Sequence, residues 1–249
     1  AMVNSAEVAA ALLELVTGAD GCIPAWAVKD QPCPHGQVLG LFSGNFTWPS
    51  TGITWITYVA AFYSFLPFVL LVSIVLGAIW TQGVRQLLAL VFWQLGQAIG
   101  AVLKSTFREP RPEGTCFKSC GMPSSHSLAA TSFFVWIALE VSNSQIMESK
   151  QKMLLLAAAG LGLLPITWSR VELIDHSPSQ VAAGAAIGAL FALLWYSLLC
   201  QRVTIWALKL MKARFPCLKL DYPLDGISDE PPWQVQNPAY GAAAPPSQK

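Results

Sequence analysis

Two histidines, three cations, two serines and a glutamine recur at short, fixed spacings in the second half of this 249-residue chain. Lys104 is followed after six residues by Arg111-Pro112, Pro123-Ser124-Ser125-His126 comes next, and Ser169-Arg170 is followed after five residues by His176 and after three more by Gln180. Brought onto one face, this set can bind and attack a phosphoryl group. Lysine and the planar fork of arginine neutralise non-bridging oxygens and hold them in line. Ser124 and Ser125 stand at a helix start, where free N–H groups and the positive dipole end favour an anion. A histidine nucleophile needs no metal: it forms a phosphohistidine, and a second histidine protonates the leaving oxygen. Transition-state charge is spread over three oxygens, so the cations carry most of the catalysis. Taken singly, each residue has a plainer reading. Lys104 would be a snorkelling anchor, His126 a helix cap and Arg170 a membrane flank. The combination outweighs these, because two of the three histidines (His35, His126, His176) fall inside the pattern.

The elements that must position these residues are membrane helices. The chain is 54% hydrophobic and 12% charged, about half the charge of a soluble domain. A net charge of +1 gives no electrostatic case for a nucleic-acid partner. The first basic residue is Lys29 with no compact apolar run before it, so no signal peptide is expected. Uncharged runs predict spans at 53–80, 86–103, 127–139 with its flanks, 153–168 and 177–201. Trp55 and Trp80 stand like interface anchors. The GxxxG spacings at Gly96/Gly100 and Gly184/Gly188 are either close-approach motifs or chance in a Gly/Ala-rich chain.

Residues 1–52 are expected to be a short amphipathic helix (4–17) and a loop, and 53–202 the membrane core. A basic interfacial helix is expected at 203–219 and a disordered tail at 220–249. Asn45-Phe46-Thr47 is a glycosylation sequon, usable on a lumenal face away from the membrane. The cysteines lack metal-ligand spacing; Cys22 with Cys33, or Cys116 with Cys120, could pair in an oxidising compartment. Five spans place Arg85 and the 148–152 loop on one side, the cytoplasmic one by the positive-inside rule. The candidate site then faces the lumen or exterior.

The strings KSTFREPRP, PSSH and SRVELIDHSPSQ resemble the three-part signature of the type 2 phosphatidic acid phosphatase superfamily, over roughly residues 53–201. That family is membrane-embedded and metal-independent and removes phosphate from lipid phosphates and diphosphates. The resemblance implies an all-α, polytopic antiparallel bundle of five to six transmembrane helices and no cofactor. It also implies phosphate binding by Lys104, Arg111, Ser124, Ser125 and Arg170, with His126 as general acid and His176 as nucleophile. Two departures matter. Ser125 replaces a common Gly, tolerable if the turn needs no positive φ. Gln180 replaces the usual Asp that orients the nucleophile, and a neutral amide gives less electrostatic help; Glu172 or Asp175 could supply the charge instead. Both substitutions are similar to the dolichyl diphosphatase branch. This branch implies a polyprenyl diphosphate partner in the bilayer, hydrolysis at the lumenal face of the endoplasmic reticulum and recycling of a glycan carrier lipid. Phosphatidate, other lipid phosphates and glucose 6-phosphate remain open as substrates for the same groups. An anion transporter would need polar residues lining a path through the spans, and only Gln94 and Gln97 stand out. Oligomeric state is not encoded in these patterns.

Overall fold

The computed structural model describes residues 22–29, 31–40, 44–81, 84–144, 147–199 and 214. The segments expected as an N-terminal amphipathic helix (4–17) and a tail (220–249) lie outside the described residues, as does the interfacial helix at 203–219 apart from Arg214. A single-turn helix α1 (Ala25–Val28) and an antiparallel hairpin, β1 (Gly36–Leu39) and β2 (Phe46–Pro49), precede five long helices. These are α2 (Trp55–Thr81), α3 (Val84–Phe107), α4 (Ser125–Asn143), α5 (Ser149–Glu172) and α6 (Pro178–Leu199). The chain is a polytopic helical membrane protein. Among the described residues α2, α3, α5 and α6 are long and apolar enough to cross a bilayer by themselves. Helix α4 is the bundle's centre, packed chiefly on α6 and α5. Enclosed by protein, it can carry Ser127, Ser132 and Glu140 where a lipid-facing helix could not.

Burial is inverted relative to a soluble domain. Leu76, Leu154, Leu161 and Leu194 are exposed on the flanks, where lipid replaces water. Trp55 and Trp80 project from the two ends of α2 as expected of interface anchors. The core holds an aromatic cluster in which Phe92 stacks on Phe191 at 4.5 Å and packs against Phe133 and Trp136. Polar glue joins α2 to α5 through Ser64 Oγ and Ser169 Oγ, 2.9 Å apart and buried. The second GxxxG is a close-approach motif. A Cβ on Gly184 or Gly188 would run into the backbone of Ser124 or Leu128, so α6 lies directly on the α4 main chain. Gly96 and Gly100 also face α4, at ordinary contact distance from Leu128 and Ser125.

Two expectations for residues 18–52 are corrected. The described part of this loop contains the hairpin, whose β2 strand buries Phe46 and Thr47 against the bundle. The disulfides are neither Cys22–Cys33 nor Cys116–Cys120 but the crossed pairs Cys22–Cys120 and Cys33–Cys116. The N-terminal segment lies across the 108–124 loop, bringing Cα atoms 98 and 83 residues apart in sequence to 4.9 and 5.5 Å. The sequon is structural as well: Thr47 Oγ1 accepts from the Cys116 N–H at 3.1 Å, and the Asn45 carbonyl accepts from Arg170. Asn45 lines the central cavity, where a glycan would block it.

Candidate active site

Four helix ends meet under the hairpin. Lys104 lies in the last turn of α3, Ser125 and His126 in the first turn of α4, Arg170 near the end of α5, and His176 and Gln180 around the start of α6. The up-and-down order of the bundle puts these ends on one side. A cavity of about 220 Å³ opens among them, walled by Lys104, Arg111, Ser125, His126, Arg170 and His176. Ser124 is placed differently from the other predicted residues. It is the N-cap of α4, buried, its side chain accepting from Ser127 N and its own N–H donating to the Gln180 carbonyl. It therefore holds the turn that opens α4, while Ser125 lines the cavity. Ser125 is the first helical residue and is not among the positive-φ positions, so no glycine is required there.

The basic side chains are fixed by backbone acceptors. Lys104 Nζ donates to the Cys120 carbonyl at 3.0 Å. Arg111 Nε and Nη2 donate to the Ser119 carbonyl and hydroxyl, and Nη1 donates to the Asp175 carbonyl at 2.7 Å. Its guanidinium lies 4.6 Å from the Phe117 ring centroid. Arg170, 1% exposed, pairs with Asp175 Oδ2 at 2.8 Å and donates to the Asn45 carbonyl. Asp175 in turn accepts the Thr47 N–H on both oxygens. Withdrawal from water outweighs Asp175's attraction and, with Arg170's repulsion, pushes the Arg111 pKa down to about 9. One buried carboxylate against three cations leaves the pocket net positive, and buried unpaired charge is costly. An anion removes that cost.

His176 Nδ1 lies 3.2 Å from Gln180 Oε1, and Nε2 lies 3.0 Å from Arg111 Nη1. Since arginine only donates, Nε2 presents its lone pair and Nδ1 carries the proton. Burial first, then Arg111, Lys104, Arg170 and His126, push the His176 pKa well below its ordinary value. The ring is held neutral. His126 is anchored near the Ser64 backbone, and its buried Nε2 has no partner among the described residues.

The charge missing at position 180 does not come from where the sequence reading looks for it. Glu172 is exposed, and Asp175 is occupied by Arg170 and Thr47. Neither bonds the imidazole. Instead Gln180 Nε2 donates to Glu109 Oε1 at 2.9 Å. Glu109, Asn45, Thr47, Phe117 and Ser119 are the contributors that sequence reasoning passes over. The one available signal is Glu109, a lone acid amid Arg108 and Arg111.

Residues 82–203 match the PAP2 superfamily. Curated relatives include dolichyldiphosphatase 1 of Rhinolophus ferrumequinum, 29% identical over 155 residues, with 56% of this chain covering 63% of that protein. The chain thus spans somewhat under two thirds of these relatives' length. Lipid phosphate phosphatase epsilon 1 of Arabidopsis thaliana, a chloroplastic protein, is 33% identical over 103 residues, covering 41% of this chain and 36% of the relative. A solved transmembrane PAP2-type phosphatidylglycerolphosphate phosphatase from Bacillus subtilis shares the fold at a TM-score of 0.50 and 24% identity, over 59% of this chain and 78% of that one. Residues 82–203 thus carry a PAP2 superfamily domain, and dolichyldiphosphatases are among the chain's relatives.

Proposed function

We propose that this protein is a metal-independent membrane phosphatase that hydrolyses a dolichyl or other polyprenyl diphosphate to the monophosphate. The observation that carries the reading is the pair of histidine Nε2 atoms at one cationic cavity, one with its lone pair exposed to Arg111 and one unpartnered. The terminal phosphate is held by Lys104, Arg111, Arg170 and Ser125 at the positive end of α4. It draws Arg111 from His176 Nε2, which attacks phosphorus as the bond to the bridging oxygen breaks. His126 gives its Nε2 proton to that oxygen, and the lipid monophosphate leaves. A water then attacks the phosphohistidine while His126 takes its proton, releasing inorganic phosphate and restoring both rings.

Three observations support the substrate class and the compartment. Relatives are named dolichyldiphosphatase 1. The cavity continues along Pro67, Trp93 and Ala129 toward the bundle interior, a path suited to an apolar tail. Two disulfides on the site's side suit an oxidising lumen, in keeping with the endoplasmic reticulum. A second reading, another lipid phosphate such as phosphatidate, is favoured by the lipid phosphate phosphatases among the relatives.

The test is phosphate release by detergent-purified protein in excess EDTA on a polyprenyl diphosphate, a phosphatidate and glucose 6-phosphate, with wild type and His176→Ala. Turnover of the diphosphate that disappears in His176→Ala upholds the reading. Turnover of phosphatidate alone changes the substrate, and an active His176→Ala protein removes the mechanism.

A further inference from the structure

We infer that Glu109 is a positioning residue for the nucleophile, acting through Gln180. In this site the carboxylate that would orient the histidine has moved one residue outward. The inference rests on His176 being the nucleophile, as proposed above.

The amide of Gln180 is held at every polar atom. Nε2 donates to Glu109 Oε1 at 2.9 Å and to the Pro110 carbonyl at 2.8 Å. Oε1 faces His176 Nδ1 at 3.2 Å and the Ser177 N–H at 3.3 Å. A flipped amide would set its oxygen against two acceptors and its NH₂ against the Ser177 N–H, so only one orientation is consistent. That orientation requires a proton on Nδ1, the same tautomer Arg111 imposes from the other side of the ring. The amide has no room to drift. A Cβ on Gly121 would collide with it, and the Gly121 N–H is bonded to the Glu109 carbonyl at 2.8 Å. Glu109 is itself aimed by the backbone: Arg108, at φ 48°, ends α3 in a left-handed turn and throws the next residue toward α6.

The arrangement has an electrostatic consequence. When Nε2 bonds to phosphorus the ring becomes cationic, and an amide polarised by a carboxylate behind it accepts the Nδ1 proton better than a free amide. It also accounts for the amide at 180. A carboxylate there would stand close to Glu109, and two neighbouring carboxylates resist joint ionisation. Glutamate at 109 and glutamine at 180 are therefore a matched pair.

The experiment compares kcat and KM for wild type, His176→Ala, Glu109→Gln, Gln180→Asp and the double variant Glu109→Gln/Gln180→Asp. The substrate is polyprenyl diphosphate, or phosphatidate if that is the one hydrolysed, in excess EDTA, and each variant is checked for a wild-type-like elution profile. Glu109→Gln should lower kcat about 10- to 100-fold, taking as a guide the range for outer partners of metal-bound histidines, with KM nearly unchanged. In the Gln180→Asp background the same change should reverse sign and raise kcat, because a neutral amide at 109 no longer repels the carboxylate at 180. A structural role for Glu109 would lower activity in both backgrounds. Unchanged kcat in Glu109→Gln, or a double variant no better than Gln180→Asp, overturns the inference while leaving the phosphatase reading intact. Activity in His176→Ala would instead sink the reading beneath it. Should Glu109→Gln fail to purify, the Gln180→Asp comparison decides alone.

Discussion

Asp175→Asn changes one charge and almost no volume, so it isolates the term that holds the cationic cluster together. Asp175 is 0% exposed and its Oδ2 is 2.8 Å from Arg170 Nη2, itself 1% exposed. Asparagine keeps one carbonyl oxygen for the Thr47 N–H, so the loss is mainly electrostatic. Removing one partner of a buried ion pair costs about 3–5 kcal/mol, because the other charge stays buried and unpaired. Here the remaining neighbours, Lys104 and Arg111, aggravate it. At about 2–4 °C per kcal/mol for a chain of this size, the apparent melting temperature should fall by roughly 6–20 °C. The assay is a thermal melt of the detergent-purified protein with and without saturating inorganic phosphate. Phosphate restores negative charge beside Arg170 and stabilises by mass action, so its upward shift should be larger in the variant than in the wild type. A variant melting together with wild type, or an equal phosphate shift in both, would refute the reasoning.

Other expectations follow from the same geometry. Catalysis in the free enzyme needs His176 neutral, the donated proton present on His126, and Arg111 charged. The His176 pKa lies well below its ordinary value, so kcat/KM should show no acid limb from this ring near pH 6.5. Arg111 loses its proton as pH rises through about 9, and kcat/KM should fall there. Arg111→Lys, with a lower intrinsic pKa, should move that limb to lower pH, and an unmoved limb would assign it elsewhere. Non-reducing peptide mapping should recover Cys22 linked to Cys120 and Cys33 linked to Cys116. Reductant should then lower activity by freeing the loop that carries Phe117 and Ser119. Gly188→Ala should destabilise by about 1–3 kcal/mol, as overpacking does, because its methyl meets the Leu128 carbonyl. A melt unchanged in Gly188→Ala would show that α6 can move off α4 freely.

The helices were legible where lipid dictates composition. The runs read at 53–80 and 177–201 match α2 and α6 within three residues, because a lipid-facing helix must be apolar all round. Helices α4 and α5 run beyond the apolar runs at 127–139 and 153–168, and for local reasons. Glu140 in α4 reaches Arg85 at 3.5 Å, so a charged residue stays inside the helix. Glu148 and Gln151 form a capping box that starts α5 before its apolar run. Of the residues lining the cavity, Lys104, Arg111, Ser125, His126, Arg170 and His176 were legible from spacing, since a phosphoryl group demands cations and histidines together, whereas Asn45, Phe117 and Ser119 were not. Pairings through space were not. Crossed disulfides, and a carboxylate reaching Gln180 from 71 residues away, leave no periodicity in a single sequence.

The part of the site with the least sequence signal also lies outside the family match. That match covers residues 82–203, yet three hydrogen bonds on the Arg170–Asp175 pair come from residues 45 and 47. A guanidinium buried to 1% has five donors to satisfy, and within the matched region Asp175 satisfies only part of that demand. The Asn45 carbonyl accepts from Nη1, and the Thr47 N–H holds the Asp175 carboxylate aimed at Nη2. The two disulfides tie the preceding segment to the same loop that positions Arg111. The described residues between 22 and 50 therefore brace the cavity from outside the matched region. Changes in the hairpin should reach catalysis through Arg170 before they disturb the membrane bundle, whose aromatic core is built from α3, α4 and α6.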